Sequence, residues 1–279
     1  MKRNIFKYKK EYAIRDITVN YMKAVILCGG LGTRLAEETD NIPKPMVEIG
    51  GKPILWHIMK YYSNFGVNDF VIALGYKGEL IKDFFHKYHI LNNDFAINTK
   101  SGKVSEHREI SEEWNVNLVD TGLETMTGGR IKRLGRWLQD GTFMLTYADG
   151  VSNININELL KRHKAHGKLA TVTAVRPPAR YGEMVFEGDK VVKFSEKPKA
   201  KDIWINGGYF VLEPGVLDYI EGDAMSWERE PLERISKDGQ LFAYRHDGFW
   251  QNMDNVRELR YLRELWAGGN AAWKVWREE

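Results

Sequence analysis

Lys23-Ala24-Val25-Ile26-Leu27-Cys28-Gly29-Gly30-Leu31-Gly32-Thr33-Arg34-Leu35, with Pro43-Lys44-Pro45-Met46 close behind, is the stretch that decides the architecture. Val25, Ile26 and Leu27 make an apolar run without alternation, as expected of a strand covered on both faces of a parallel sheet. Gly29, Gly30 and Gly32 then remove side chains where the backbone must turn tightly, so that amide N–H groups can approach an anion. Arg34 adds a permanent charge in a fork that matches phosphate oxygens, and Lys44 is held between two prolines. The stretch reads as a phosphate cradle. It is neither of the two familiar phosphate loops. G-x-G-x-x-G would need a third glycine where Leu35 stands, and G-x-x-x-x-G-K-[ST] would need a Lys-Ser or Lys-Thr pair that does not follow.

Working outward, strand and helix patterns alternate. Apolar positions at helical spacing run from Pro53 to Phe65, Phe70 to Gly75 is a second buried strand, and Gly78 to Tyr88 is an amphipathic helix. This order implies a right-handed parallel sheet with ligands at the carboxyl ends of its strands. The polar stretch from Asn92 to Trp114 reads as a strand or loop excursion, and Val116 to Val119 returns to strand. Thr125 to Arg130 carries a second glycine pair before a helix expected over Ile131–Leu138, which places Gly128 and Gly129 near a helix N-terminus that favours anions. Phe143 to Tyr147 is a hydrophobic strand that delivers Asp149 near its carboxyl end. A carboxylate there suits Mg²⁺, although an aspartate before Gly150 is equally an ordinary turn or cap residue. Ile156–His166 reads as a helix, Ala170–Val175 as a strand, Tyr181 to Phe194 as a hairpin around Gly188-Asp189, and Ile205–Leu212 as another buried strand. Leu241 to Tyr244 reads as an edge strand, Phe249 to Asp254 as an aromatic strand and its exit, and 256–266 as a terminal helix.

The charge balance excludes several classes. The chain of 279 residues carries a formal charge of +3, but residues 1–21 hold +4 of it and the remainder is −1. A near-neutral body lacks the basic face of a nucleic-acid binder. An ordered arm, a basic tail and residues upstream of a start at Met22 all fit the first segment, which we read as an extension without catalytic role. It lacks the apolar core of a signal peptide, and no apolar run long enough to cross a membrane occurs. A single cysteine, Cys28, fits a reducing, cytoplasmic setting and reads as a small buried filler rather than a nucleophile. The seven histidines form no H-x-x-x-H set, and His163 and His166 are read as solvated on a helix surface.

At Gly29-Gly30-x-Gly32-Thr33-Arg34-Leu35 and Pro43-Lys44-Pro45-Met46 the chain resembles the sugar-nucleotide nucleotidyltransferases, from Met22 to about Trp276. The likeness is sharpest to the cytidylyltransferase branch. It implies a Rossmann-like α/β fold, with a mixed, mostly parallel central sheet flanked by helices and a small β-rich portion for sugar binding and oligomerisation. It further implies a single domain over 22–279, with 22–150 mainly nucleotide-binding and 151–279 mainly sugar-phosphate-binding. Catalysis would rest on Arg34, Lys44 and Asp149. The nucleotide would be held by Leu27, Gly29, Gly30, Gly32, Thr33, Arg34, Lys44, Thr125, Arg130 and Ala148. Glu196, Lys197, Asn206 and Gly207 would wrap the sugar phosphate, and Asp149 and Asp254 would share one Mg²⁺. Where the family usually has glycine before the metal aspartate, this chain has Ala148, whose methyl would crowd the nucleotide slightly. The implied substrates are CTP and glucose 1-phosphate, used for nucleotide-sugar supply to surface polysaccharide such as the O-antigen of lipopolysaccharide, in a homo-oligomer. A UTP- or dTTP-dependent transferase shares the same cradle, and a non-catalytic nucleotide-sugar sensor is the rival from another class. Trp266, Trp273 and Trp276 crowd the chain end and either dock on the body or form a subunit contact.

Overall fold

The computed structural model describes residues 22–32, 35, 39–106, 112–177, 183–195 and 203–277. The opening strand β1 (Lys23–Leu27) lies near the middle of a seven-stranded sheet. A small antiparallel pair, β2 (Glu48–Ile49) and β3 (Lys52–Pro53), leads into helix α1 (Ile54–Ser63). Then come β4 (Asp69–Leu74), helix α2 (Gly78–Asn92), the hairpin β5 (Phe95–Ile97) with β6 (Val104–Glu106), and β7 (Asn115–Asp120). Two short helices, α3 (Thr127–Arg133) and α4 (Gly135–Leu138), precede β8 (Phe143–Tyr147) and β9 (Gly150–Ser152). Helix α5 (Ile156–His166), β10 (Ala170–Val175), the hairpin β11 (Glu183–Glu187) and β12 (Lys190–Ser195), and β13 (Ile205–Leu212) follow. Helix α6 (Glu230–Lys237), β14 (Leu241–His246), β15 (Trp250–Asn252) and helix α7 (Val256–Ala267) complete the order.

The sheet order is β14-β10-β13-β8-β1-β4-β7, and β13 alone runs against its neighbours. β1 pairs in parallel with β4 on one side and β8 on the other, Leu27 lying opposite Ala73 and Tyr147. This is the mixed, mostly parallel sheet expected from the sequence. Its strands are apolar on both faces because both are covered. Ala24, Ile26 and Ile72 join one core with the α1 and α7 side chains, while Val25, Val71 and Leu145 join another with Ile131, Leu134 and Trp227. At roughly 25 cal/mol per Å² of apolar surface, two such layers supply the bulk of folding free energy.

Several sequence readings are refined. The excursion between α2 and β7 is a hairpin, β5–β6. The helix expected over 131–138 begins earlier, at Thr127, so Gly128 and Gly129 lie inside its first turn rather than ahead of it. Trp273 and Trp276 are buried against the chain's own body, and with Trp56 and Trp266 they ring His57. His57 is fully buried, bonds to the Ile49 carbonyl at 2.8 Å, and has its pKa pushed down to about 4 by burial. His163 is likewise buried between Thr171 and Glu213, while His166 stacks on Phe242. No helix among the described residues is long and apolar enough to cross a membrane.

Candidate active site

A cavity of about 560 Å³ opens at the carboxyl ends of β1 and β8. Leu27, Gly29, Gly30, Gly32 and Lys44 line it from the first motif, Thr125 and Arg130 from the second, and Ala148, Asp149, Asn206 and Asp254 from later parts of the chain. A larger cavity of about 870 Å³ lies between α2 and β7, away from these strand ends and from every motif. The open-sheet rule favours the smaller one.

The geometry centres on Lys44. Its Nζ donates to Asp149 Oδ2 at 2.6 Å and to Asp254 Oδ1 at 2.7 Å. Burial pulls the ammonium's pKa down, but the charges and hydrogen bonds of Asp149 and Asp254 outweigh it, and the pKa stands above the ordinary lysine value. Lys44 sits in a 3₁₀ turn, Lys44–Met46, entered through the extended Pro43. The two aspartates are brought together by the small sheet in which β15 pairs with β9. Asn252 lies opposite Gly150, and the Met253 amide donates to the Asp149 carbonyl at 2.8 Å. Asn255 then caps α7 by accepting from the Glu258 amide, a bond worth about 1 kcal/mol in typical helices, which fixes where the chain leaves Asp254. Asn252 Nδ2 donates to the second Asp254 oxygen at 2.8 Å.

The glycine turn has two faces. Gly30 has open space above its Cα, consistent with a ligand approaching the backbone there. Gly32 has φ +66°, and a Cβ on it would stand 3.3 Å from Lys44 Cβ. Since a left-handed conformation costs a side-chain-bearing residue about 1–2 kcal/mol, Gly32→Ala is expected to lower stability by that amount, measurable as a denaturant midpoint shift, and to disturb Lys44. Thr33 and Arg34, and the sugar-phosphate candidates Glu196 and Lys197, lie outside the described residues.

Arg130 takes a different place from the one the sequence suggests. Only 4% exposed, its guanidinium donates to the carbonyls of Gly29, Leu74, Gly122 and Leu123 and to the Thr121 hydroxyl. It rests directly on Gly29, where a Cβ would come within 2.2 Å of its Cζ. Gly29 is thus small to admit Arg130, and Arg130 borders the cavity as a strut. The anion reading of Gly128 and Gly129 is corrected too. The Gly129 amide donates to the Met225 carbonyl, and added Cβ atoms at both positions would strike the 223–225 backbone, so this helix start is a packing surface.

Asn206 lines the cavity, and with Gly207 it also lines a small pocket beside it. Asn206 Oδ1 accepts from the Gly208 amide, and Trp250 Nε1 donates to the Gly207 carbonyl at 2.7 Å. Sequence reasoning missed the cluster beside them. Tyr147 Oη donates to Glu228 Oε1 at 2.6 Å, and Thr127 Oγ1 donates to Glu228 Oε2 at 2.7 Å. Burial, with the Glu228 carboxylate second, raises the Tyr147 pKa well above its usual value, so the phenol is a neutral donor. Cys28 also borders the cavity, but burial first, and the Asp149 charge second, push its thiol pKa far up, and it cannot serve as a thiolate nucleophile near neutral pH.

The donor set can hold a divalent cation. Two hard carboxylate oxygens from distant parts of the chain already share one cationic partner, and Mg²⁺ usually takes only one or two protein carboxylates. Among the described residues no cluster of three or more acidic, His or Cys side chains competes as a metal site.

Comparison with known proteins shows the family. A glucose-1-phosphate cytidylyltransferase of Salmonella typhi is 52% identical over 256 residues, spanning 91% of this chain and all of the relative. A probable glucose-1-phosphate cytidylyltransferase of Bacillus subtilis is 45% identical over the same share of each. The crystal structure of HddC from Yersinia pseudotuberculosis superposes with a TM-score of 0.66 at 24% identity, covering 88% of this chain and 99% of that one, a likeness of fold. The profile described as nucleotidyl transferase matches residues 23–251, from the first residue of β1 to the middle of β15, and so takes in the glycine turn, Lys44 and Asp149. Since that match spans most of the chain and the relatives align over their whole length, the chain belongs to the nucleotidyl transferase family.

Proposed function

We propose that the chain transfers a cytidylyl group from CTP to α-D-glucose 1-phosphate, giving CDP-glucose and pyrophosphate. The observation that carries this reading is the meeting of Lys44, Asp149 and Asp254 at the mouth of the glycine turn, in a chain that aligns over the whole length of two cytidylyltransferase relatives.

The attacking group is a sugar phosphate oxygen, already anionic near neutral pH, so no side-chain nucleophile is needed and the inert Cys28 is no obstacle. The barrier is repulsion between two anions, and catalysis consists of offsetting that charge and fixing the line of attack. The turn at Gly29, Gly30 and Gly32, with Thr33 and Arg34, holds the leaving pyrophosphate. Lys44 sets its charge on the α- and β-phosphates, and Leu27, Thr125 and Ala148 bound the nucleoside. Arg130 keeps the Gly29 and Gly122 backbones in place beneath it. Asn206, Gly207, Glu196 and Lys197 take the sugar phosphate. Asp149 and Asp254 would hold Mg²⁺, which when bound would supply Lewis-acid stabilisation of the phosphoryl oxygens. The working form is a cytoplasmic homo-oligomer.

Pyrophosphate release with glucose 1-phosphate and Mg²⁺, run in parallel with CTP, UTP, dTTP, ATP and GTP, tests the assignment. CTP is expected to lead in kcat/KM by at least about a hundredfold, because a site built to pair with the cytosine amino group leaves buried acceptors facing the uracil or thymine carbonyl. A lead for UTP or dTTP keeps the chemistry and overturns the substrate. Nucleotide binding without turnover in any of the five would make the protein a sensor.

A further inference from the structure

We propose that Lys44 is a displaceable internal cation. In the ligand-free protein its ammonium holds the position between Asp149 and Asp254 that a divalent ion takes when nucleoside triphosphate binds, and it yields that position by swinging onto the phosphates. The inference rests on the two-carboxylate metal reading above and deepens it into an order of events.

Three observations converge on it. First, Lys44 Nζ lies 2.6 Å from one carboxylate and 2.7 Å from the other, bonded to both at once. A Mg²⁺ ion would bind those oxygens at about 2.0–2.1 Å, so ion and ammonium cannot share both oxygens without two cations in contact. Second, the backbone of Lys44 is pinned in its 3₁₀ turn by Pro43 and Pro45, whereas its flexible four-carbon stem can carry the charge elsewhere. Third, the place to which the charge would move is at hand. Lys44, both aspartates and the open backbone of Gly30 border the same cavity. The Lys44 side chain is 13% exposed and those of Asp149 and Asp254 are 31% and 20% exposed, so the ion pair is reachable from that cavity.

The consequence is coupling. Without nucleotide, Lys44 competes with a divalent ion for its two ligands. With nucleotide, the phosphates draw Lys44 away and the carboxylates can take the ion, so each of the two ligands favours the other by the same factor. The protein would stay largely metal-free until its triphosphate arrives, and the lysine would enter the reaction site at the same moment.

Mn²⁺ binding followed by electron paramagnetic resonance, with the nucleotide-free full-length chain, tests this without recourse to turnover. Lys44→Met is expected to bind Mn²⁺ at least about tenfold more tightly than the unaltered protein, within the usual range of coupling between sites. CTP should tighten Mn²⁺ binding strongly in the unaltered protein and far less in Lys44→Met. Equal or weaker Mn²⁺ binding by folded Lys44→Met overturns the proposal. Adding Asp149→Asn to Lys44→Met should abolish the gain. Loss of binding there with no gain from Lys44→Met sinks the lysine proposal alone, whereas binding indifferent to Asp149→Asn sinks the metal reading with it. Lysine ¹⁵Nζ resonances of the unaltered protein give a measurement independent of any variant. The Lys44 signal should move with Mg²⁺ and CTP together far more than with the same Mg²⁺ alone, and an equal response to Mg²⁺ alone overturns the proposal.

Discussion

Asp149→Asn is expected to lower kcat by at least about a thousandfold, near the upper end of what the loss of one preorganised electrostatic group costs an enzyme. The effect should exceed that of other single changes around the cavity, Asp254 aside, because Asp149, like Asp254, is used twice. Its Oδ2 accepts from Lys44 in the ligand-free chain, and the same carboxylate is half of the proposed Mg²⁺ pair. Asparagine keeps the shape and removes the charge, so neither cation is held as before. The fold should survive. The bond that ties this segment to the rest of the site runs through the Asp149 carbonyl, which accepts from the Met253 amide and is untouched by the change. The measurement is pyrophosphate release at saturating CTP and glucose 1-phosphate, with the melting temperature recorded beside it. Activity within about tenfold of the unaltered enzyme, with an unchanged melting temperature, would remove Asp149 from the machinery and with it the metal assignment.

That prediction could be framed from sequence because Asp149 follows a strand whose apolar pattern is unmistakable. Phe143, Met144 and Leu145 are buried as the run implies, and β1 and β4 were visible for the same reason. The meeting of Asp149 with Asp254 was another matter. It depends on the pairing of β9 with β15, two three-residue strands too short to carry a period, so only the resemblance pointed there. Glu228 carries no role in the sequence reading because the 221–229 segment has no periodic pattern, and its partners Tyr147 and Thr127 lie 81 and 101 residues away. The burial of His57 was not legible either. The residue stands in Leu55-Trp56-His57-Ile58, an apolar context, yet spacing alone does not reveal that a ring of tryptophans from the chain end closes over it. For Arg130 the residue type and the neighbourhood were legible but the direction was not. A guanidinium next to a glycine pair suggests an anion, and only the structure shows its donors turned onto backbone carbonyls through the gap left by Gly29 and Gly75.

Arg130→Met is expected to destabilise the protein by roughly 3–5 kcal/mol, the scale on which a buried network fails when its single charged donor is lost. Methionine fills much of the volume but donates nothing. The buried carbonyls of Gly29 and Leu74, the buried Thr121 hydroxyl and the half-buried carbonyls of Gly122 and Leu123 would each lose a donor. Burial lowers the Arg130 pKa and the nearby Asp120 raises it, so the carboxylate is a partial counter-charge whose support would also be lost. For a chain of this length the loss amounts to a fall of about 10 °C in melting temperature. Activity should fall as well, since Gly29 opens the glycine turn and Gly122 leads to Thr125, and Gly29 and Thr125 both line the cavity. The two readings of Arg130 part at this point. If its main work were to touch the nucleotide, Arg130→Met would weaken CTP binding and leave the melting temperature of the ligand-free protein within about 2 °C of the original. If it is a strut, the ligand-free protein melts early, and Arg130→Lys fails to restore it. An ammonium has neither the reach nor the planar fork needed to serve carbonyls on both sides of the turn at once.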